Sequence, residues 1–358
     1  AVDHPQGTEI FVDEKFTAPP FPPLKIYTVS EKITPVLAMD GQGKDILSIL
    51  MEKDDIYLPP GQLEKYQGMT GLTSIVLDPG QLLDDDSMFL IMQGWIFPTD
   101  ASINYALAQN KKLEIIPPYL QVSDNKGSWI TVIDNIGFPM GKDKAVITDL
   151  TGKFISDDHR VRIVTNMRIY WDRAFFTEIK SSQIHVAWLS PSETDLHYRG
   201  FSKMFRKGGR YGPHWFDYDD VSVYPRYNDL EGNYTRYGDV LPLLMEADDM
   251  YIISNAGDEI TIKFNSSTLP APGPGFERDF LLHNIGWVKD GDLNTATGNT
   301  VDPLPYHGMN RYPYQGPGEF FPSDEKHRKY LEEYSTRYVD GQKFKRALVE
   351  TGKGDNRN

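Results

Sequence analysis

Through the first half of the chain, apolar residues come in short runs and alternations bounded by Gly, Pro, Asn and Asp. That is the pattern of strands joined by turns rather than of amphipathic helices. It predicts strands over 74–77, 88–96, 113–116, 119–122, 129–133, 145–150, 161–166 and 167–176. Breaks such as Asp124-Asn125-Lys126-Gly127 and Gly137-Phe138-Pro139-Met140-Gly141 separate them. Many short strands with turn signals between them imply a mainly β fold, a sandwich or jelly roll. Short helices are expected over 42–52 and 104–110. Residues 1–23 read as an extended arm, because Pro19, Pro20, Pro22 and Pro23 cannot sit in a helix interior or a central strand.

After residue 190 the text changes. Arginine, glycine and aromatic residues interleave through 195–220 without a clear period, and strand-like or short-helix patterns resume at 239–253 and 259–264. Residues 268–275 are rich in proline and glycine, and 286–318 read as one long ordered loop. Ser323 followed by Asp324 and Glu325 predicts an N-cap with acids in the first turn, opening a helix to about Tyr334. Residues 351–358 should fray.

A repeat organises these pieces. Residues 45–58, DILSILMEKDDIYL, align without gaps on 239–252, DVLPLLMEADDMYI, with eight of fourteen positions identical. Gly94-Trp95 then matches Gly286-Trp287, and Asp100 with Asn104 matches Asp290 with Asn294. The expectation is two related β-sandwich units, 24–190 and 191–320, facing each other across a pseudo-twofold. The arm precedes them, and a C-terminal helix and tail over 321–358 follow.

Composition narrows the class. The 358 residues are 39% hydrophobic, enough for a sizeable core, and carry a net charge of −14. The acidic balance argues against nucleic acid or an anionic membrane as the main partner. No cysteine is present, which excludes disulfides, thiolate zinc sites and cysteine nucleophiles. The strongest apolar run, Met88 to Met92, is far short of the roughly 20 residues of a transmembrane helix. The start at Ala1-Val2-Asp3 fits either removal of a signal peptide or an engineered start. We read it as the first, and expect an exported, extracytoplasmic protein.

Longer motifs carry a resemblance. The runs Pro117-Pro118-Tyr119-Leu120-Gln121-Val122, Gly127-Ser128-Trp129 through Gly141, and Arg162 through Asp172 recur in one family. So do Gly232-Asn233-Tyr234 through Leu244, Trp287-Val288-Lys289-Asp290-Gly291-Asp292-Leu293-Asn294-Thr295, and Val301-Asp302-Pro303-Leu304-Pro305-Tyr306-His307. Over about residues 30–335 the chain resembles a module of bacterial exported proteins found beside tetratricopeptide repeats or FG-GAP and ASPIC/UnbV regions. The resemblance implies no activity. The chain lacks those neighbouring regions, which implies a separate subunit.

Two candidate sites stand out. Asp290, Asp292 and Asn294 form a D-x-D-x-N turn of hard oxygen ligands suited to calcium, with Asp302 nearby. Val301 stands where an EF-hand needs its bidentate glutamate, so only an irregular calcium loop fits; the same residues also suit plain turn capping. Arg199, Arg206, Arg210, Tyr211, Trp215 and Tyr218 offer flat rings and fixed donors for a ligand such as a glycan. Packing between the two units, with the arginines paired to acids, is the alternative. Trp95, Trp129, Trp171 and Trp287 sit in strand patterns and are expected in the core.

Catalytic signatures are scarce. The eight histidines show no metalloprotease spacing, and G-x-S-x-G and phosphate-binding glycine loops are absent. The acid doublets, Asp54-Asp55 among them, read as solvated turns. The expected function is therefore a non-enzymatic subunit that binds another protein and helps assemble a larger complex. A carbohydrate-binding module and a carboxylate-pair hydrolase are the alternatives.

Overall fold

The computed structural model describes residues 1–16, 23–80, 87–179, 184–289, 298–314 and 316–341. The fold is mainly β; the described residues form antiparallel ladders and three α-helices. The chain begins with β1 (Val2–Pro5), β2 (Glu9–Val12), β3 (Lys15–Phe16), β4 (Ile26–Val29), β5 (Leu37–Asp40), β6 (Met69–Asp78) and β7 (Met88–Ile96). It continues with β8 (Tyr119–Ser123), β9 (Trp129–Ile133), β10 (Phe138–Pro139), β11 (Lys144–Asp149), β12 (Val161–Met167), β13 (Ile169–Glu178) and β14 (His185–Val186). The rest holds β15 (Pro191–Tyr198), β16 (Phe201–Arg206), β17 (His214–Ser222), β18 (Gly232–Tyr234), β19 (Asp258–Phe264), β20 (Phe276–Asp279) and β21 (Arg337–Val339). The helices are α1 (Leu47–Leu50), α2 (Ala101–Gln109) and α3 (Glu325–Tyr334). Among the described residues, no helix is long and apolar enough to cross a membrane.

The first half is layered. A five-stranded sheet, β5-β6-β12-β8-β9, shares the largest core with a three-stranded sheet, β11-β7-β13. Strand β7 shows why its sequence is apolar without interruption. Met88, Leu90 and Met92 point into the core between the sheets, while Phe89 and Ile91 point to the other face. Phe11 and Val29 of the β2–β4 ribbon cover that second face. Both sides of β7 are thus buried, and alternation disappears from the text.

The second half is built from pairs. β15 with β19, β16 with β17, and β18 with β21 each form a two-stranded ladder. Two-stranded ladders cannot bury a wide face alone. Helix α3 supplies part of what is missing: its Tyr330 and Tyr334 pack on Leu196, Val240 and Leu243. Tyr234, Val301 and Leu304 form a neighbouring cluster.

Several expectations differ from the structure, each for a local reason. The first sixteen residues are not an extended arm. Val2 is buried in β1, which lies between β14 and β20, and Asp3 makes two charge-assisted bonds to Arg278, at 2.5 and 2.7 Å. Pro19, Pro20 and Pro22 lie outside the described residues. Residues 113–116 form no strand, because side chains satisfy their backbone. Asn166 accepts from the Ile116 amide at 2.8 Å and donates to the Glu114 carbonyl at 2.7 Å. The helix expected over 42–52 is the single turn α1, and α2 starts earlier than expected, capped by Asp100, whose carboxylate accepts from the Ile103 amide. In α3 the capping residue is Asp324, not Ser323; its carboxylate accepts from the amides of Lys326 and His327. Trp287 is exposed and outside any strand, unlike the buried Trp95 and Trp171.

Candidate functional site

The repeated segments fold alike. In the first copy Asp45 accepts from the Leu47 amide, and in the second Asp239 accepts from the Leu241 amide. Asp54 and Asp248 close the next turn on the amides of Ile56 and Met250. Asp55 and Asp249 then take left-handed φ of 67° and 65°, and the hydroxyls of Tyr57 and Tyr251 donate to their carboxylates. Aspartate tolerates that region better than most residues because its short side chain bonds locally. In the first copy Tyr57 also meets Trp95 edge-on at 6.4 Å; Trp287 holds the matching place in the sequence of the second.

In the first copy, three distant parts of the chain bring carboxylates together. Asp55 is placed by the Leu58 amide, which donates to the Trp171 carbonyl at 2.7 Å and docks the segment on β13. Asp172 is the extra residue of a β-bulge in β13. Trp171 pairs with Gly94 and Arg173 with Gln93, leaving Asp172 without a cross-strand partner. Asp143 precedes β11 with a left-handed φ of 57°, and the next residue, Lys144, pairs with Gly94 from the other side. Gly94 therefore lies between the two strands that carry Asp143 and Asp172. A Cβ there would run into the Tyr170 carbonyl oxygen, so no other residue lets the backbones approach this closely.

One carboxylate oxygen from each of Asp55, Asp143 and Asp172 lies within 4.8 Å of the other two. The Tyr57 hydroxyl faces Asp143 at 3.2 Å and Asp55 at 3.4 Å, and the Lys53 ammonium pairs with Asp143 at 3.0 Å. Asp172 is 0% exposed, and neither of its oxygens has a hydrogen-bond partner. Burial pushes its carboxyl up to about 6; the amides of Asp54 and Asp55 face it and oppose that shift without completing a hydrogen bond. Burial, with the charges of Asp143, Asp172 and Asp55 behind it, also drives the Tyr57 hydroxyl far above the usual tyrosine range. Tyr57 thus stays a donor. The cluster is rich in acceptors and poor in donors, the chemistry of a cation site.

The loop 207–212 closes over this place. A Cβ on Gly208, whose φ is 68°, would overlap the Asp55 carbonyl oxygen, so the glycine allows the loop to press directly on the Asp55 backbone. Tyr211 lies 5.9 Å from Tyr170, and its carbonyl accepts from the Trp95 indole at 3.0 Å. Arg206 donates to the carbonyls of Gly212 and Arg210, and the Arg210 guanidinium lies near the Tyr211 ring. Trp215 is flanked by Lys142 and Lys207, 3.7 and 4.0 Å from its ring centroid. Arg199 and Tyr218 form a separate group with Glu259: the guanidinium stacks 3.7 Å from the ring, and both bind the carboxylate. The six residues named from the sequence therefore divide into two sets, one of which lies over the aspartates.

Of the calcium loop expected from the sequence, Asp290, Asp292 and Asn294 lie outside the described residues. Asp302 is described, and its carbonyl accepts from the Lys289 ammonium at 2.9 Å. No motif marks Asp143 or Asp172, and the Asp54-Asp55 doublet has the pattern of a solvated turn. A signal was present: Asp172 and Arg173 put two adjacent charges inside the otherwise apolar run Ile169-Tyr170-Trp171-Asp172-Arg173-Ala174-Phe175-Phe176. Comparison with protein-family models, curated proteins and solved structures finds no match to this chain.

Proposed function

We propose that the chain is a non-enzymatic, exported β-sandwich subunit that binds another protein and helps scaffold a larger complex. The observation that supports it is the stretch after β20. Phe280, Leu281, Leu282, Ile285, Trp287 and Val288 are all exposed, Leu282 at 64% and Val288 at 93%. Six large apolar side chains within nine residues form a surface that water solvates poorly and a partner covers well. Trp188, 72% exposed, extends it, with its ring 6.2 Å from that of His283. Glycan binding has less support, since lysines lie against the Trp215 ring and Arg199 against Tyr218. A hydrolase reading has less again, because the buried Asp172 is out of reach of a polymeric substrate.

The test is mild, tag-free isolation followed by crosslinking and sedimentation. A defined partner should co-purify with the wild-type chain and be lost when Leu282 and Ile285 are both changed to Asp. A strictly monomeric chain that retains nothing at native salt would overturn the reading.

A further inference from the structure

We propose that Asp55, Asp143 and Asp172 bind a hard divalent cation, calcium foremost, at a site separate from the Asp290 loop. The inference does not depend on the protein-binding role.

Geometry allows it. Two oxygens on opposite sides of a calcium ion bound at about 2.4 Å are about 4.8 Å apart, and the three carboxylate oxygens lie within 4.8 Å of one another. Magnesium demands a near-ideal octahedron and gives up its waters reluctantly, so the flexible shell of calcium suits three carboxylates from three parts of the chain better. Water and the second oxygens of the carboxylates would complete a calcium shell.

Burial asks for it. Asp172 is closed to solvent, and no hydrogen bond reaches either oxygen. Buried carboxylates are normally paired or bound to metal, because an uncompensated one is expensive to keep dry. Among the described residues Lys53 is the cluster's ion-pair partner, and it engages Asp143 rather than Asp172. Two negative charges remain, which one divalent ion balances.

The molecule also contains its own control. In the second copy the Asp249 carboxylate receives the Tyr251 hydroxyl at 2.6 Å, the His307 amide at 3.0 Å and the His307 ring at 2.6 Å. That aspartate is satisfied by protein donors. In the first copy Asp55 keeps the tyrosine donor, Tyr57 at 3.4 Å, but faces two more carboxylates, and the same turn is left needing a cation.

The experiment titrates the full chain, stripped with chelator, with calcium chloride in a calorimeter, and with terbium, whose emission Trp95 and Tyr57 would sensitise. One calcium ion should bind, with magnesium weaker. Asp172→Asn and Asp143→Asn should each weaken binding at least about tenfold. Asp249→Asn and the pair Asp290→Asn with Asp292→Asn should leave it unchanged. Because Asp172→Asn alters a buried position, Asp143→Asn, at a turn, serves if the first variant misfolds. The proposal is overturned if no calcium binds up to about 5 mM, above the range of weak extracellular calcium modules. It is equally overturned if binding survives Asp143→Asn or disappears with the Asp290 and Asp292 pair.

Discussion

Segments 45–58 and 239–252 share their turns but not their surroundings, and the difference is instructive. In the first copy α1 is a true α-helical turn, and it buries Ile46 and Leu50, four residues apart. In the second, Pro242 stands where Ser48 does, the turn over Leu241–Leu244 is a 3₁₀ helix, and the buried pair is Val240 and Leu243, three apart. The tighter winding moves the inward face by one residue. The same wording thus serves a wide aliphatic core in one half and a narrow, tyrosine-rich one in the other.

The largest expected contrast is in those cores. Leu50→Ala should cost about 3–5 kcal/mol in urea unfolding, since the side chain is fully buried between sheets that cannot collapse around a cavity. Leu243→Ala, beside ladders and a helix that can shift, should cost about 2–3 kcal/mol. Equal losses would break the comparison. The next contrast uses the paired glycines. Gly94→Ala must push the Tyr170 carbonyl away and should cost about 3 kcal/mol, whereas a Cβ on Gly286 meets nothing within 4 Å, so Gly286→Ala should be close to neutral.

Alkaline pH should act on both halves through their buried tyrosines. Burial, with the charge of Asp229 adding to it, pushes the Tyr234 hydroxyl up to about 12. Its folded pKa exceeds its unfolded value near 10, so its contribution is complete below pH 10. It is lost as pH rises through about 12, a fall of about 2–3 kcal/mol. Tyr234→Phe should take its own share from that limb of a stability–pH curve, leaving the part due to Tyr237 and Tyr312, which are also pushed up to about 12. In the first half the responding group is Tyr57, beside the aspartates, since the core between the two large sheets contains no tyrosine among the described residues. The smallest effects probe the aspartates in chelator: His307→Ala should destabilise by about 1–2 kcal/mol by taking a donor from Asp249. Asp143→Asn should be neutral or stabilising, because it relieves like charge. The same sign for both would show that the two sites are not opposites.

Legibility from sequence followed burial. Strands β7 and β9 have the expected limits, and β8, β11, β12 and β13 differ by at most two residues at either end, because each carries a run or alternation that packing enforces. The hairpin β16–β17 was unreadable as strands because most of both its faces is exposed, so polarity has no reason to alternate there. The aspartate cluster was hidden for a different reason. Its members sit at positions 55, 143 and 172, and a bulge decides where Asp172 points. Pair register and bulges depend on the assembled sheet, not on local wording. Two features of the sequence hinted at the site: the repeat preserves Asp-Asp-x-Tyr in both copies, and Asp172 with Arg173 interrupts an apolar run.

Strand β1 has a consequence for how the protein is made. Asp3 finds Arg278 across a separation of 275 residues, so β1 must wait for β20, made long after it. Until then it presents an unpaired, apolar-bearing edge, open to mispairing or to capture by a chaperone. Its docking is the seam that joins the start of the chain to the far end of the second half. Hydrogen exchange at Val2 during refolding would then time the closing of the whole molecule, not the formation of any one sheet.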